Sequence, residues 1–144
     1  EAMKTDVDAS HFTVRLARMR HPVPTVGFVI TRDGKSIAYS ADTGSTEDFW
    51  ELVSDAPNLR ALIVEISFPN ALQKLADITG HLTPGDLAKE LKKVRRPLNI
   101  PVIVFGVKPE YEKEIRKEIF SACAVLLRDK TTRFGIVAGY ECSK

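Results

Sequence analysis

Two short apolar runs constrain this chain more than any other feature: Ala61 to Val64 in "NLRALIVEISF" and residues 101–105 in "IPVIVFGV". A strand that faces water on one side alternates apolar and polar residues, whereas an unbroken run is the composition of a strand covered on both faces. Both runs therefore belong in the middle of a sheet. The residues between and after them carry helical patterning, and strands that alternate with helices pair in parallel.

Earlier in the chain the pattern is different. "FTVRLARM" and "PTVGFVI" are rich in β-branched and aromatic residues and read as strands, and "RDG" at 32–34 turns the second back into "SIAYSA" as a hairpin. The sheet is thus mixed, antiparallel first and parallel later, and the class is α/β. Ser45 or Thr46 is the expected N-cap of a helix from about Glu47 to Ser54. "PNALQKLADITG" is a short helix closed by Gly80. In "HLTPGDLAKELKKVRRP", Thr83 suits the N-cap, Pro84 the first helical position and Asp86 the first turn, with Leu87, Leu91 and Val94 as one apolar stripe. Its basic end, Lys92, Lys93, Arg95 and Arg96, invites a phosphate-binding reading, but the favoured one is a solvated last turn that complements the helix dipole. "PEYEKEIRKEIFSA" is a helix with Tyr111, Ile115 and Ile119 on one face, and "AVLLRD" and "RFGIVAGY" close the chain as strands.

At 144 residues and 44% hydrophobic the chain reads as a single domain. A net charge of +2, from 21 basic and 19 acidic residues, is too mild to argue for a nucleic-acid or anionic-membrane partner and leaves the partner open. No apolar run approaches the roughly 20 residues needed to span a bilayer. Two distant cysteines, Cys123 and Cys142, without a CxxC motif, lead to the expectation of a reduced, cytoplasmic protein.

Polar chemistry in such sheets collects at the carboxyl ends of strands, where the backbone leaves the ladder and side chains converge. "SADTG", "EISFPN" and "VFGVKP" all end strands in this way. Asp42 in the first is either an Asx-turn residue before Gly44 or a ligand. His21 in "RMRHPVPTVGF" and His81 in "ITGHLTPGDL" are loop histidines suited to metal or proton chemistry, or to ordinary turns. Glu65 interrupts an apolar strand, and a buried carboxylate needs a partner or a shifted pKa. It is a site candidate or the internal half of a structural hydrogen-bond pair. Phe68, Pro69 and Asn70 either line a base or ribose pocket or form a plain strand-to-helix turn.

Taken in order, "HPVPTVGFVI", "SIAYSADTG", "IVEISFPN", "GHLTP" and "PVIVFGVKP" resemble the carboxyl-terminal half of the metallo-β-lactamase superfamily, and most nearly the class II cyclic-nucleotide phosphodiesterases. The resemblance runs from about Phe12 to the end. It implies half of an αββα sandwich, with a mixed sheet carrying helices on one face. It also implies a zinc or manganese centre in the complete fold, with His21 and Asp42 as metal ligands and Asp42 as the bridging carboxylate. His81 is then the group that protonates a departing ribose oxygen during metal-assisted cleavage of a 3′,5′-cyclic nucleotide such as cyclic AMP, and Glu65 helps to orient the site.

Two departures from the family pattern bear on activity. The His-x-His-x-Asp-His signature, which belongs to the amino-terminal half, occurs nowhere in the chain, and Gly106 stands where the family places its last histidine ligand. This chain alone is therefore expected to be inactive and not to retain a dinuclear centre. One half of a sandwich also leaves an apolar sheet face that another sheet must cover. The expected partner is an amino-terminal half, with a homodimer next. A non-catalytic interaction or nucleotide-sensing module is the alternative reading, and a transfer-RNA 3′-processing nuclease is the third.

Overall fold

The structure, a computed structural model, describes residues 7–9, 11–123 and 133–138. Among the described residues seven strands form one sheet in chain order: β1 (Val7–Ala9), β2 (Phe12–Arg18), β3 (Val26–Arg32), β4 (Lys35–Tyr39), β5 (Leu59–Glu65), β6 (Pro101–Val107) and β7 (Arg133–Ala138). β1 to β4 pair antiparallel and β4 to β7 pair parallel, as the change in patterning requires. The β3–β4 hairpin turns through Asp33 and Gly34 at φ 49° and 68°, the two left-handed residues that a tight turn of matching twist needs. β1 was not evident from composition, and "AVLLRD" lies outside the described residues.

Helices α1 (Asp48–Asp55), α2 (Gln73–Thr79), α3 (Pro84–Leu91) and α4 (Glu112–Ala122) supply the crossovers and the cover of one sheet face. Val29, Ala38, Leu62, Val64, Val102 and Val104 are buried in one core with Phe49, Trp50, Leu87, Ile115 and Ile119 from the helices. Each large side chain so buried contributes about 1.5–3 kcal/mol.

The alternate residues of the same strands form the opposite face. Phe28, Ile30, Tyr39, Ile63, Ile103 and Phe105 are half-buried, and Ile37 is 48% exposed. Cross-strand register aligns this row: Phe28 opposes Tyr39, Ile30 opposes Ile37, and Ile63 lies beside both Tyr39 and Ile103. Aromatic rings run across it, Phe28 to Tyr39 at 5.1 Å and Tyr39 to Phe105 at 5.0 Å. A groove of about 650 Å³ opens along it toward Phe12. The expected half-sandwich, a mixed sheet with helices on one face, is what the chain forms.

The helix ends depart from the sequence reading in two places. Neither Ser45 nor Thr46 caps α1, whose N-cap position is Glu47 without a side-chain cap bond. Both serve the buried Glu90 of α3 instead: Ser45 Oγ donates to Oε1 at 2.6 Å and the Thr46 N–H to Oε2 at 3.1 Å, with Trp50 Nε1 donating to Oε2 at 2.6 Å. A buried carboxylate gathers every donor within reach, and that demand outweighs a local cap. The basic end of α3 is exposed at Lys92 and Arg95, as a solvated turn would be, but it also makes ties within the fold. Lys93 pairs with Glu47 and Glu90, Arg95 with Asp55, and Arg96 donates to the Val53 carbonyl, so these cations fasten α3 to α1. Thr83 does cap α3, accepting from the Asp86 N–H with Pro84 in the first turn.

Candidate metal and proton-transfer site

The site sits where β4 and β5 end. Beyond β4 the backbone turns through Ala41 at φ 53°, a conformation that side chains other than glycine rarely adopt, and Asp42 follows. Ser40 secures that turn by donating to the Ala41 carbonyl at 2.8 Å while accepting the Glu65 N–H at 3.1 Å. The Asp-Thr-Gly loop is then tied to the His21 loop: Gly44 N–H donates to the Arg20 carbonyl at 2.8 Å, and Arg20 N–H donates to Thr43 Oγ1 at 3.3 Å. Gly80, at φ 72°, ends α2 in the left-handed conformation. A Cβ there would lie 2.8 Å from Pro22 Cδ, so only glycine lets the segment leading to His81 seat against the His21 loop.

These ties bring the four site residues together in two ways. Donor atoms of Asp42, Glu65 and His81 lie within 4.8 Å of one another. His21 is not in that group. Its ring meets the His81 ring edge to face at 5.2 Å, and its Nδ1 accepts the Val23 N–H at 3.3 Å.

Glu65 is wholly buried, as its apolar context implied. One carboxylate oxygen contacts His81 Nδ1 directly, and Ser67 Oγ stands 3.2 Å from the same nitrogen. The Leu82 N–H faces both carboxylate oxygens at 3.4 and 3.5 Å. Burial pushes the Glu65 carboxyl up to about 7, offset in part by the hydrogen bond and charge of His81 and by the Leu82 N–H. His81 is likewise raised above its ordinary value, first by its hydrogen bond to Glu65, against the opposing pull of burial. Both shifts run upward, so the desolvated carboxylate and the imidazole favour holding a proton between them. With Nδ1 engaged, Nε2 is the His81 nitrogen left for a ligand.

The donors present fit a divalent cation. Asp42 is exposed, and its carboxylate makes no side-chain hydrogen bond or ion pair among the described residues, while the His81 imidazole stands beside it and the His21 ring meets His81 in turn. Carboxylate and imidazole together suit zinc or manganese. Gly106 adds nothing to the set. It lies in the irregular end of β6 at φ 78°, where a Cβ would come 3.6 Å from Ser67 Oγ.

Phe68, which sequence reading left open, touches the site from the side: its ring lies edge-on to His81 at 5.8 Å. Lys108, which sequence reading did not single out, stands over the Phe68 ring with Nζ 4.4 Å from the centroid. The only signal for it was its place in "VFGVKP", two residues beyond Gly106.

Comparison with known proteins fits this architecture. Residues 3–102 match the beta-lactamase superfamily domain. A probable 3′,5′-cyclic-nucleotide phosphodiesterase of Yersinia pestis is 30% identical over 120 residues, covering 68% of this chain and 34% of its own length. Ribonuclease Z of Borreliella burgdorferi is 37% identical over 65 residues, 45% of this chain and 19% of that protein. Among solved structures, the metallo-beta-lactamase fold protein YhfI of Bacillus subtilis superposes with a TM-score of 0.72 at 18% identity, over 95% of this chain and 50% of its own. The short form of human tRNase Z gives 0.63 at 19% identity, over 94% of this chain and 44% of its own. The chain thus spans half or less of the length of each of these proteins. Because the family match takes in all the strands from β1 to β5 and the loops that carry Asp42, Glu65 and His81, the chain belongs to the metallo-β-lactamase superfamily.

Proposed function

We propose that this chain is the carboxyl-terminal half of a metal-dependent phosphodiesterase that, in its complete form, cleaves 3′,5′-cyclic nucleotides. The observation that carries the reading is the buried Glu65–His81 pair beside the carboxylate of Asp42, which has no hydrogen-bond or ion-pair partner among the described residues. A proton held at neutral pH on an imidazole is what a departing ribose oxygen needs. The relation to a probable cyclic-nucleotide phosphodiesterase supports the substrate class.

Asp42 and His21 would hold a divalent ion, zinc or manganese, which when bound supplies Lewis-acid stabilisation of the phosphoryl oxygens. The chain's own residues do the rest. Glu65 fixes the His81 ring through Nδ1 and favours its protonated form; the imidazolium would give its Nε2 proton to the leaving oxygen and remain as neutral imidazole with the Nδ1 proton on the Glu65 bond. Ser40 keeps Asp42 and Glu65 in fixed relation.

The open apolar face belongs to the same proposal. A soluble protein does not keep so continuous an apolar row in water, and each relative is about twice this chain's length or longer, so the amino-terminal half of the same protein is the proposed cover. Among the described residues no helix is long and apolar enough to cross a membrane, and the setting proposed is the cytoplasm.

A second reading, transfer-RNA 3′-end processing, is favoured by the likeness to ribonuclease Z and to the short form of human tRNase Z. Assaying the complete protein on cyclic AMP and on a precursor transfer RNA separates the two. Cyclic AMP turnover lost in Asp42→Ala supports the first, and robust RNA cutting without it sinks that reading. Metal-free protein inert toward both substrates would leave the non-catalytic module, for which Gly106 is the structural argument.

A further inference from the structure

We propose that Lys108 is the phosphate-recognition residue of this site, binding a non-bridging oxygen of a small phosphodiester while the Phe68 ring holds its ammonium in place. The inference deepens the phosphodiesterase reading and rests on it for the substrate class.

Four cations on the helical side of the molecule are already committed. Lys89, Lys93, Arg95 and Arg116 each pair with a carboxylate. Lys108 has no carboxylate partner among the described residues, although Glu110 lies two positions away. Its ammonium instead sits over an aromatic face, 4.4 Å from the centroid. Such a contact restrains a flexible stem without neutralising the charge. Phe68 is itself buried, with its ring edge-on to His81 at 5.8 Å and tilted against Tyr111 at 6.4 Å, so the platform under the cation is rigid.

Charge balance points the same way. The Asp42 carboxylate, exposed at the end of its strand, would repel an anionic substrate unless cations answer. A metal would supply part of that charge. Gly106 contributes no side chain to hold one, and two residues further along the chain Lys108 supplies a permanent cation over Phe68, whose ring meets His81.

The test is anion binding by the chain itself, read by amide chemical shifts during titration with inorganic phosphate and, separately, cyclic AMP, for wild type, Lys108→Gln and Lys108→Arg. Lys108 is exposed and makes no buried hydrogen bond among the described residues, so both variants should fold, which unchanged thermal midpoints would verify. Wild type should show shifts centred on residues 67–70, 81 and 106–108. Lys108→Gln should weaken binding of both ligands about tenfold, and Lys108→Arg should restore it to within about twofold. Wild type without saturable binding, shifts centred elsewhere, or Lys108→Gln binding as wild type does would each overturn the inference. Lys108-dependent binding in a complete protein that turns over no phosphodiester would support it while sinking the hydrolase reading.

Discussion

Ser40 and Glu65 are joined by a hydrogen bond from the Glu65 N–H to the Ser40 hydroxyl at 3.1 Å, and the same hydroxyl donates to the Ala41 carbonyl at 2.8 Å. One buried side chain thus clamps the end of β5 to the strained turn that presents Asp42. Replacing it with alanine leaves the Glu65 N–H without its partner in a dry environment, at a cost of about 1–3 kcal/mol. The expected result for Ser40→Ala is a lower urea midpoint with an unchanged slope.

The Glu65–His81 pair makes a prediction about charge. In chelator-treated protein, NMR titration should show His81 deprotonating above the ordinary histidine value, because its hydrogen bond to Glu65 is the largest cause of the shift. Glu65→Gln removes the negative partner, so the His81 midpoint should fall. A midpoint unmoved by that substitution would mean the two groups are not coupled.

Glu90 gathers Ser45, Thr46, Trp50 and Lys93 on one buried carboxylate. Glu90→Ala strands the Trp50 and Thr46 N–H groups and should cost about 3 kcal/mol. Because Thr46 lies four residues beyond Asp42, hydrogen exchange at the Thr46 amide should accelerate more than exchange in α4.

Acid stability should depend on Asp86. Burial raises its pKa, but hydrogen bonds from Gln73, Lys89 and Thr83 outweigh that and leave it below the ordinary 3.8. The folded form therefore binds this proton less readily than the unfolded chain does. The contribution is present above pH 3.8 and is lost as pH falls through the lower folded value. Asp86→Asn should flatten that part of the stability profile, while Thr83→Ala lowers the whole curve by about 1 kcal/mol.

Gly106 combines a strand position with φ 78°. Any side chain there should cost about 1–2 kcal/mol through the backbone, since the nearest atoms, Ser67 Oγ at 3.6 Å and Ile66 O at 3.7 Å, leave room for a Cβ. Gly106→Ala measures that cost in denaturant. Gly106→His should match it in stability yet raise zinc retention and turnover in the complete protein. Equal retention in both variants would argue against this position as a ligand site.

On the open sheet face, Ile37→Lys should reduce self-association of the isolated chain in sedimentation at little cost in stability, because Ile37 is already 48% exposed. In the complete protein the same change should be destabilising if another sheet packs there. Equal stability with and without the substitution would count against that cover.

Much of this was determined by the amino-acid sequence alone. The positions of β2 to β6 and of the helices, the Asp33–Gly34 turn, the Thr83 cap and the switch from antiparallel to parallel pairing are set by residue periodicity and local backbone chemistry. So is the unusual standing of Glu65, a carboxylate in an apolar strand. Other features depend on which surfaces meet, and no local pattern encodes that. Glu90 took the donors of Ser45 and Thr46 because α3 packs where they are, and the basic end of α3 became a set of ties to α1 for the same reason. Lys108 acquired its place over Phe68, and His81 its bond to Glu65, only when strand ends distant in sequence converged. Desolvation then shifted the proton affinities of that pair, since burial is a property of the folded assembly and of no single residue.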